Sequence, residues 1–168
     1  MSNVLVAYAS KHGSTAQIAT AIAEEIRRHD LEVDCLPAAD VRDVERYDAV
    51  VIGSAVYMKR WQGDARHLLR RHRREFSERQ LWIFSSGPVG KDADPSWSEP
   101  GGVVELAEKL GVRDHVVFGG SLPEEPHGFV QKAMVRDTPE ELRDLRDFDE
   151  ITRWAAGIAE AVMAKEPA

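Results

Sequence analysis

Short apolar segments alternate along this chain with amphipathic helical patterns, and this alternation limits the fold more than any other feature. Five segments have the length and apolar character of buried strands, at residues 4–8, 31–36, 49–53, 81–84 and 115–119. Right-handed crossovers would return the intervening helices to the two faces of one sheet. The pattern therefore predicts an α/β fold built on a doubly wound, five-stranded parallel sheet with helices on both faces.

Helical repeats are predicted from about residue 14 and over about residues 61–76, 102–110 and 149–164. In the first of them, the apolar stripe consists of Ile18, Ala19, Ile22, Ala23 and Ile26. The connection 36–47 has room for one helical turn, around residues 41–46. The 168 residues are interpreted as a single domain, 1–168, with an irregular insertion at about 121–148 before the last helix.

Composition excludes several functional classes. A formal charge of −7 disfavours nucleic acid as a partner. The chain has no run approaching ~20 apolar residues and no export-signal pattern, so we expect no transmembrane segment and a cytoplasmic location. The one cysteine, Cys35, is interpreted as a small core residue. His67 and His72 are five residues apart instead of four, and no metal site is predicted.

Charge is distributed unevenly along the chain. Residues 59–79 contain eight Lys or Arg against three Asp or Glu, whereas residues 121–150 contain nine acidic against four basic residues. Within the acidic stretch, Phe129, Val130 and Met134 lie at roughly helical spacing. We interpret these three as core residues in preference to the wall of a substrate pocket.

The junction between the first strand and the first helix has the composition of a phosphate-binding loop. Residues 10–15 read Ser-Lys-His-Gly-Ser-Thr. The free amides and dipole of a helix N-terminus favour an anion, and the hydroxyl groups add donors. The motifs G-x-x-x-x-G-K-[ST] and G-x-G-x-x-G are both absent, which disfavours nucleoside triphosphates and NAD as ligands of this loop. A helix cap without any ligand is the alternative.

Two further loops are predicted at the same edge of the sheet, because ligands of doubly wound folds bind beyond the carboxyl ends of the strands. The loop after the third strand carries Tyr57 and Trp61 as candidate stacking rings. The loop after the fourth strand, residues 85–90, offers backbone groups at short spacing, and Gly53 and Gly87 would allow close approach of a ligand. A ligand with one phosphate and a flat ring system fits all three loops, and flavin mononucleotide (FMN) is such a ligand.

The predicted cofactor-binding residues come from these three loops, and no catalytic side chain is predicted. They are Ser10, Lys11, His12, Gly13, Ser14, Thr15, Ser54, Ala55, Val56, Tyr57, Trp61, Ser86, Gly87, Pro88, Val89 and Gly90.

With these motifs the chain resembles the flavodoxin superfamily. Residues 10–15 resemble the [ST]-x-T-G-x-T phosphate loop, with His12 where Thr is usual, and residues 51–54 and 85–90 resemble the two ring-binding loops. The resemblance extends over nearly the whole chain and implies the strand order 2-1-3-4-5. Within the superfamily, the chain is most similar to the branch of menaquinone-dependent protoporphyrinogen oxidase.

The resemblance implies an FMN-binding redox protein that transfers electrons or hydride to a partner protein or a small acceptor. Oxidation of a porphyrin is the alternative, which the acidic residues 121–150 disfavour. A deazaflavin is the alternative cofactor, since Lys11 and His12 make the phosphate loop more cationic than usual. A ligand-free regulatory domain is a third hypothesis. A regulatory domain of the response-regulator receiver type would need an acidic cluster after the first strand, where the chain has Ser10 and Lys11. The oligomeric state is left open.

Overall fold

The computed structural model describes residues 2–10, 13–57, 60–87, 101–122, 126 and 128–165. Its strands are β1 (Asn3–Ala9), β2 (Glu32–Pro37), β3 (Ala49–Tyr57), β4 (Arg60–Trp61), β5 (Gln80–Ser86) and β6 (Asp114–Phe118). The five long strands are parallel and lie in the order β2-β1-β3-β5-β6. Numbered without the two-residue β4, this is the predicted order 2-1-3-4-5, and the predicted fold class is confirmed.

The helices are α1 (Ser14–Arg27), α2 (Gly63–Arg71), α3 (Arg73–Ser77), α4 (Gly101–Lys109), α5 (Gly128–Asp137) and α6 (Phe148–Lys165). Turns of 3-10 helix occupy Ala38–Asp40 and Glu140–Leu142. No helix in the described part of the chain is both long enough and apolar enough to span a bilayer.

Two apolar layers enclose the sheet. On one face α1 and α6 pack together over alternate residues of the strands, including Val4, Val6 and Phe84. On the other face α2, α3 and α4 cover the remaining strand residues, such as Leu5 and Ile83. All five residues of the predicted α1 stripe are buried. Because successive side chains of a strand point to opposite faces, a sheet covered on both sides requires continuously apolar strands, as this sequence has.

Two predicted helices differ from the structure. The helix predicted over 61–76 is wrong at both its start and its middle, because Trp61 belongs to β4 and the helical path breaks at His72, with φ −109° and ψ 25°. The turn predicted at 41–46 is also wrong. The 3-10 turn lies earlier, and Val41, Val44 and Tyr47 reach the core from a non-helical connection.

The segment between β6 and α6 is more ordered than predicted. It contains α5 and the second 3-10 turn, which begins just after Pro139. The interpretation of its apolar residues as core is wrong. Phe129, Val130 and Met134 are 84%, 61% and 41% exposed, and α5 has no buried residue among those described.

Candidate functional site

The carboxyl ends of β1, β3 and β5 lie side by side at one edge of the sheet. The strand register pairs Ala9 with Ser54, and Ser54 with Ser85. The three loops singled out in the sequence therefore start from one row of adjacent residues. This edge is where doubly wound folds bind their ligands.

The first loop ends in a helix N-terminus that no side chain caps within the described residues. Gly13, the residue before α1, has φ +89°, a left-handed conformation that glycine adopts without strain. Its amide donates to Ser10 Oγ at 2.9 Å, so this one amide of the loop is already used. The first helical bond runs from the Gln17 amide to the Gly13 carbonyl at 3.1 Å. The three amides before Gln17 precede that bond and have no acceptor inside the helix.

Ser14 supplies the most informative atom of this loop. Its Oγ is buried and has no hydrogen-bond partner in the part of the chain that the structure describes. A buried hydroxyl without a partner costs free energy, and such atoms are rare in native proteins. The neighbouring Thr15 is 1% exposed. An anionic oxygen at the start of α1 would satisfy the Ser14 hydroxyl, so the residues present fit a phosphate group.

Several predicted site residues lie outside the described part of the chain. They are Lys11, His12, Pro88, Val89, Gly90 and the side chain of Tyr57.

The end of β3 is shaped by Ser54. Its Oγ donates to the Ala55 carbonyl and accepts from the Gln62 amide, both at 2.8 Å, and the residue is fully buried. The side chain of Ser54 therefore holds the chain that returns through β4, and the predicted contact with a ring would have to come from its backbone. Ala55 and Val56 follow as half-buried residues.

Trp61 is not a surface ring. It is 1% exposed, and its indole Nε1 donates to Ser85 Oγ at 2.8 Å. The prediction that its ring stacks on a ligand is corrected, because pairing of β4 with the end of β3 turns Trp61 back into the α2 face of the core. Ser85 Oγ also lies 3.2 Å from His115 Nε2 on β6. Trp61, Ser85 and His115 thus join three strands beneath the binding edge; we call them the tryptophan clamp.

Sequence analysis placed Ser85 in the third loop for its backbone groups, but did not predict the role of its side chain or of His115. A polar residue directly after an apolar strand was the available signal for Ser85. His115 gave no such signal, since only the register of β5 with β6 brings it near Ser85.

The two glycines expected to admit a ligand have other roles. A Cβ on Gly53 would lie 1.9 Å from Phe84 Cζ, so the ring of Phe84 occupies the space that this glycine leaves. Gly87 has φ +129°, and its amide donates to the Phe118 carbonyl at 3.0 Å. The predicted contact of the Gly87 amide with a ring would require that bond to be released. Ser86, just before it, is 5% exposed.

The segment that carries α5 returns to the same edge of the sheet. Ser121 forms a bridge with Asp144, and the Leu145 amide donates to the Gly120 carbonyl at 2.9 Å. Gly120 in turn lies against Gly87, since a Cβ on Gly120 would be 3.2 Å from Gly87 Cα. The base of the segment therefore touches the loop that follows β5.

Arg146 joins this segment to the first turn of α1. Its guanidinium donates to both carboxylate oxygens of Asp144, at 2.8 and 3.0 Å, and also to the side-chain oxygen of Gln17. The bonds from Arg146 lower the pKa of Asp144 below its ordinary value. No group of acidic, His or Cys side chains suited to a metal ion occurs among the residues the structure describes.

Comparison with known families identifies the fold. A model of the flavodoxin domain matches residues 5–147, which is most of the chain. The chain belongs to the flavodoxin family. Membership implies a flavin-binding redox protein.

Solved structures agree with this flavodoxin-domain assignment at the level of the fold. A flavodoxin from the domain Archaea has 17% identity and a TM-score of 0.64, with 96% of this chain and 99% of that chain covered. Flavodoxin 1 from Bacillus cereus has 15% identity and a TM-score of 0.59, with 99% and 100% covered. Among curated proteins, none matches this sequence.

A third similar structure is larger than this flavodoxin-domain chain. The rubredoxin oxygen:oxidoreductase of Desulfovibrio gigas has 16% identity and a TM-score of 0.67. The match covers 99% of this chain but 37% of that one. This chain is thus similar to about a third of that oxidoreductase.

Proposed function

We propose that this flavodoxin-domain protein binds FMN at the carboxyl edge of its sheet and transfers electrons through it to a partner protein or a small acceptor. The observation that carries the proposal is the buried hydroxyl of Ser14, which has no partner among the described residues, at the uncapped start of α1. Bound flavin supplies the redox chemistry, and the protein supplies binding, orientation and electrostatics.

The phosphate of FMN provides what the start of α1 lacks. A phosphate monoester carries close to two negative charges at neutral pH and has three strong acceptor oxygens. Those oxygens would accept from the Ser14 hydroxyl and from the first amides of α1, where the helix dipole also favours an anion. Lys11 and His12 are sequence neighbours that would add positive charge.

The ring system would lie between the loops that follow β3 and β5. The proposed contacts are the backbone of Ser54 and Ala55 and the residues from Gly87 onward, with Tyr57 as the proposed stacking ring. The tryptophan clamp supports both loops from below, because Trp61 belongs to the first and Ser85 precedes the second. Since Trp61 and Ser85 are buried, these two residues would orient the loops without contacting the ring.

Porphyrin oxidation is not carried forward as a second function. The acidic excess of residues 121–150 would repel an anionic porphyrin and an anionic membrane surface. No contact among the described residues favours a deazaflavin over FMN. The mass of the released cofactor distinguishes the two.

The test is purification of the protein and analysis of what it carries. We expect a yellow protein with the absorption of an oxidised flavin, and release of the chromophore should yield a compound with the mass of FMN. Loss of the colour on reduction and its return in air would demonstrate a redox-active cofactor. A released deazaflavin would replace FMN in the proposal. A colourless protein that takes up neither cofactor when supplied would overturn it.

A further inference from the structure

The exposed side of α5 is an apolar surface that the fold leaves uncovered. Phe129 is 84% exposed, Val130 61% and Met134 41%. Together with Leu122 and Ala133 they line an open groove of about 420 Å³. We call this surface the α5 groove. Contiguous exposed apolar surface is uncommon in monomeric proteins and marks sites of interaction.

The α5 groove is held next to the proposed flavin site. Leu122 belongs to its lining, and the Leu122 amide donates to the Arg143 carbonyl at 2.7 Å. Two residues earlier, Gly120 lies against Gly87 of the loop that follows β5. Two residues of chain span at most about 7 Å, so Leu122 lies within that distance of Gly120, the residue that contacts the loop after β5. Arg146 fastens the other end of the segment to α1 through Gln17.

The segment that carries the α5 groove has an excess of acidic side chains. Asp137 lies in its lining, and the following stretch to the start of α6 carries six more exposed carboxylates against two arginines. The six are Glu140, Glu141, Asp144, Asp147, Asp149 and Glu150. One of the two arginines, Arg146, is already paired with Asp144. Helix α5 itself carries the exposed Lys132 and Arg136, and Arg136 is paired with Asp137, so the described residues of 126–150 hold seven carboxylates against four basic side chains. The net charge of the segment is therefore negative, and a fitting surface would be positive.

A second copy of this chain fits the groove poorly. Two α5 helices related by a two-fold axis would bring their acidic rims together, and like charges across an interface are unfavourable. The chain's own basic surface, on α2 and α3, offers arginines but no apolar centre, since Ala65, Leu68 and Leu69 are buried in the core. An anionic membrane would be repelled by the same rim.

We propose that the α5 groove docks a redox protein that presents an apolar spot ringed by Lys and Arg. The proposal rests on the proposed function, since the groove would place that partner beside the flavin. Phe129 and Met134 are the central contacts, and the acidic rim steers the partner and sets its orientation. Interfaces of this kind have an apolar core and a charged rim.

The probe is mitochondrial cytochrome c, a small basic haem protein, and the measurement is its binding to the purified protein by calorimetry at low salt. The test variant is Phe129→Ser/Val130→Ser/Met134→Ser, whose three residues are exposed and unnecessary for the core. We expect it to bind the probe at least about tenfold more weakly, as loss of a buried aromatic contact would cause. Glu140→Gln/Glu141→Gln should also weaken binding.

The matched control is Phe148→Ser. Phe148 is 41% exposed, like Met134, but does not line the groove. It should leave binding within about twofold. Raising the salt to about 1 M, where the screening length falls to ~3 Å, should weaken binding by the wild-type protein by at least tenfold.

Four results would overturn the docking proposal. They are no binding of cytochrome c at low salt, equal binding by the triple variant, a dimer in sedimentation that the triple variant abolishes, and co-sedimentation with phosphatidylglycerol vesicles that the triple variant abolishes. The presence of bound flavin is measured separately, from the yellow colour of the same samples. A yellow protein whose triple variant binds normally would refute only the docking site, and a colourless protein with groove-dependent binding would refute only the flavin.

Discussion

The two edges of the sheet are both rich in polar side chains, but they use them differently. At the amino edge, Tyr47 donates to Asp34 at 2.6 Å, Arg46 binds both of them, and the Asn3 amide donates to Asp48 at 2.9 Å. At the carboxyl edge, Ser14 Oγ is buried without a partner among the described residues. The amino edge completes its own hydrogen bonds, whereas the carboxyl edge has donors left for a ligand.

The comparison shows that a polar cavity is not by itself a binding site. Cavities of about 360 and 120 Å³ lie at the amino edge, lined by residues such as Glu45, Asp48 and Arg79. The guanidinium of Arg79 donates hydrogen bonds to the carbonyls of Tyr47, Glu75 and Glu45. Since Arg79 and Asp48 are bonded within the chain, a ligand that used them would have to displace existing bonds.

The largest effect should follow removal of the donors at the start of α1. We expect Ser14→Ala/Thr15→Ala to weaken FMN binding about 100-fold, because hydrogen bonds to a charged group contribute ~1.5–3 kcal/mol each. Riboflavin, which lacks the phosphate, should lose less than about threefold. Fluorescence titration of the apoprotein measures both affinities.

Thr20→Ala is the control for that double variant. Thr20 lies on the same helix and donates to the Ala16 carbonyl at 2.9 Å, away from the helix start. It should leave both affinities unchanged. Equal losses for FMN and riboflavin in the double variant would show that the carboxyl edge does not hold a phosphate.

The next effect concerns the tryptophan clamp. It belongs to the carboxyl edge, but its side chains are hydrogen-bonded to one another, as those of the amino edge are. Trp61→Phe removes a buried indole N–H and should lower the free energy of unfolding by about 2 kcal/mol. Trp154→Phe is matched to it, since the Trp154 Nε1 bond to Asp114 is exposed and should be worth less. Chemical denaturation measures both. A Trp61→Phe protein as stable as the wild type would show that this buried hydrogen bond does not stabilise the fold.

The amino edge should contribute to the stability of the fold and not to the affinity for FMN. Tyr47→Phe removes the donor to Asp34 and should cost about 1 kcal/mol of unfolding free energy. Burial, together with the bond to Asp34, raises the pKa of Tyr47. The stabilisation should therefore be complete below the ordinary pKa of about 10 and disappear as the pH rises through the raised value. A change in FMN affinity of more than about twofold would contradict the separation of the two edges.

The smallest effect should come from the contact that anchors the α5 segment. Arg146 lowers the pKa of Asp144, so the stabilisation is present above the ordinary value of about 4 and is lost as the pH falls through the lowered one. Asp144→Asn should cost less than about 1 kcal/mol at pH 7, because the carboxylate is exposed. Urea unfolding of the variant and the wild type should converge at the acid end. A difference that stays constant with pH would exclude this contact as its source.

The sequence predicted the strands and the buried stripe of α1 because both depend on local periodicity, whereas the order of the strands was implied by the resemblance to flavodoxins. The junction at residues 10–15 was recognisable for the same reason, since it joins β1 directly to α1. The fold class and this loop follow from residues that are neighbours in the chain.

Features set by distant partners were not predictable in this way. Helical spacing identified an apolar face at Phe129 and Met134, but spacing does not say whether another element covers that face. Trp61 was interpreted as a ligand contact because it lies in a loop, and only the short pairing of β4 with β3 takes it into the core. Gly53 was expected to allow close approach of a ligand, whereas Phe84 from the neighbouring strand fills its space.

The most direct test of the central claim is phosphorus NMR of the protein with bound FMN as a function of pH. A free phosphate monoester titrates with a pKa near 6. Hydrogen bonds from Ser14 and the first amides of α1 favour the dianion and should lower that pKa. The account predicts a phosphorus shift that differs from that of free FMN and does not change between about pH 5 and 8. A resonance that titrates like free FMN would contradict it.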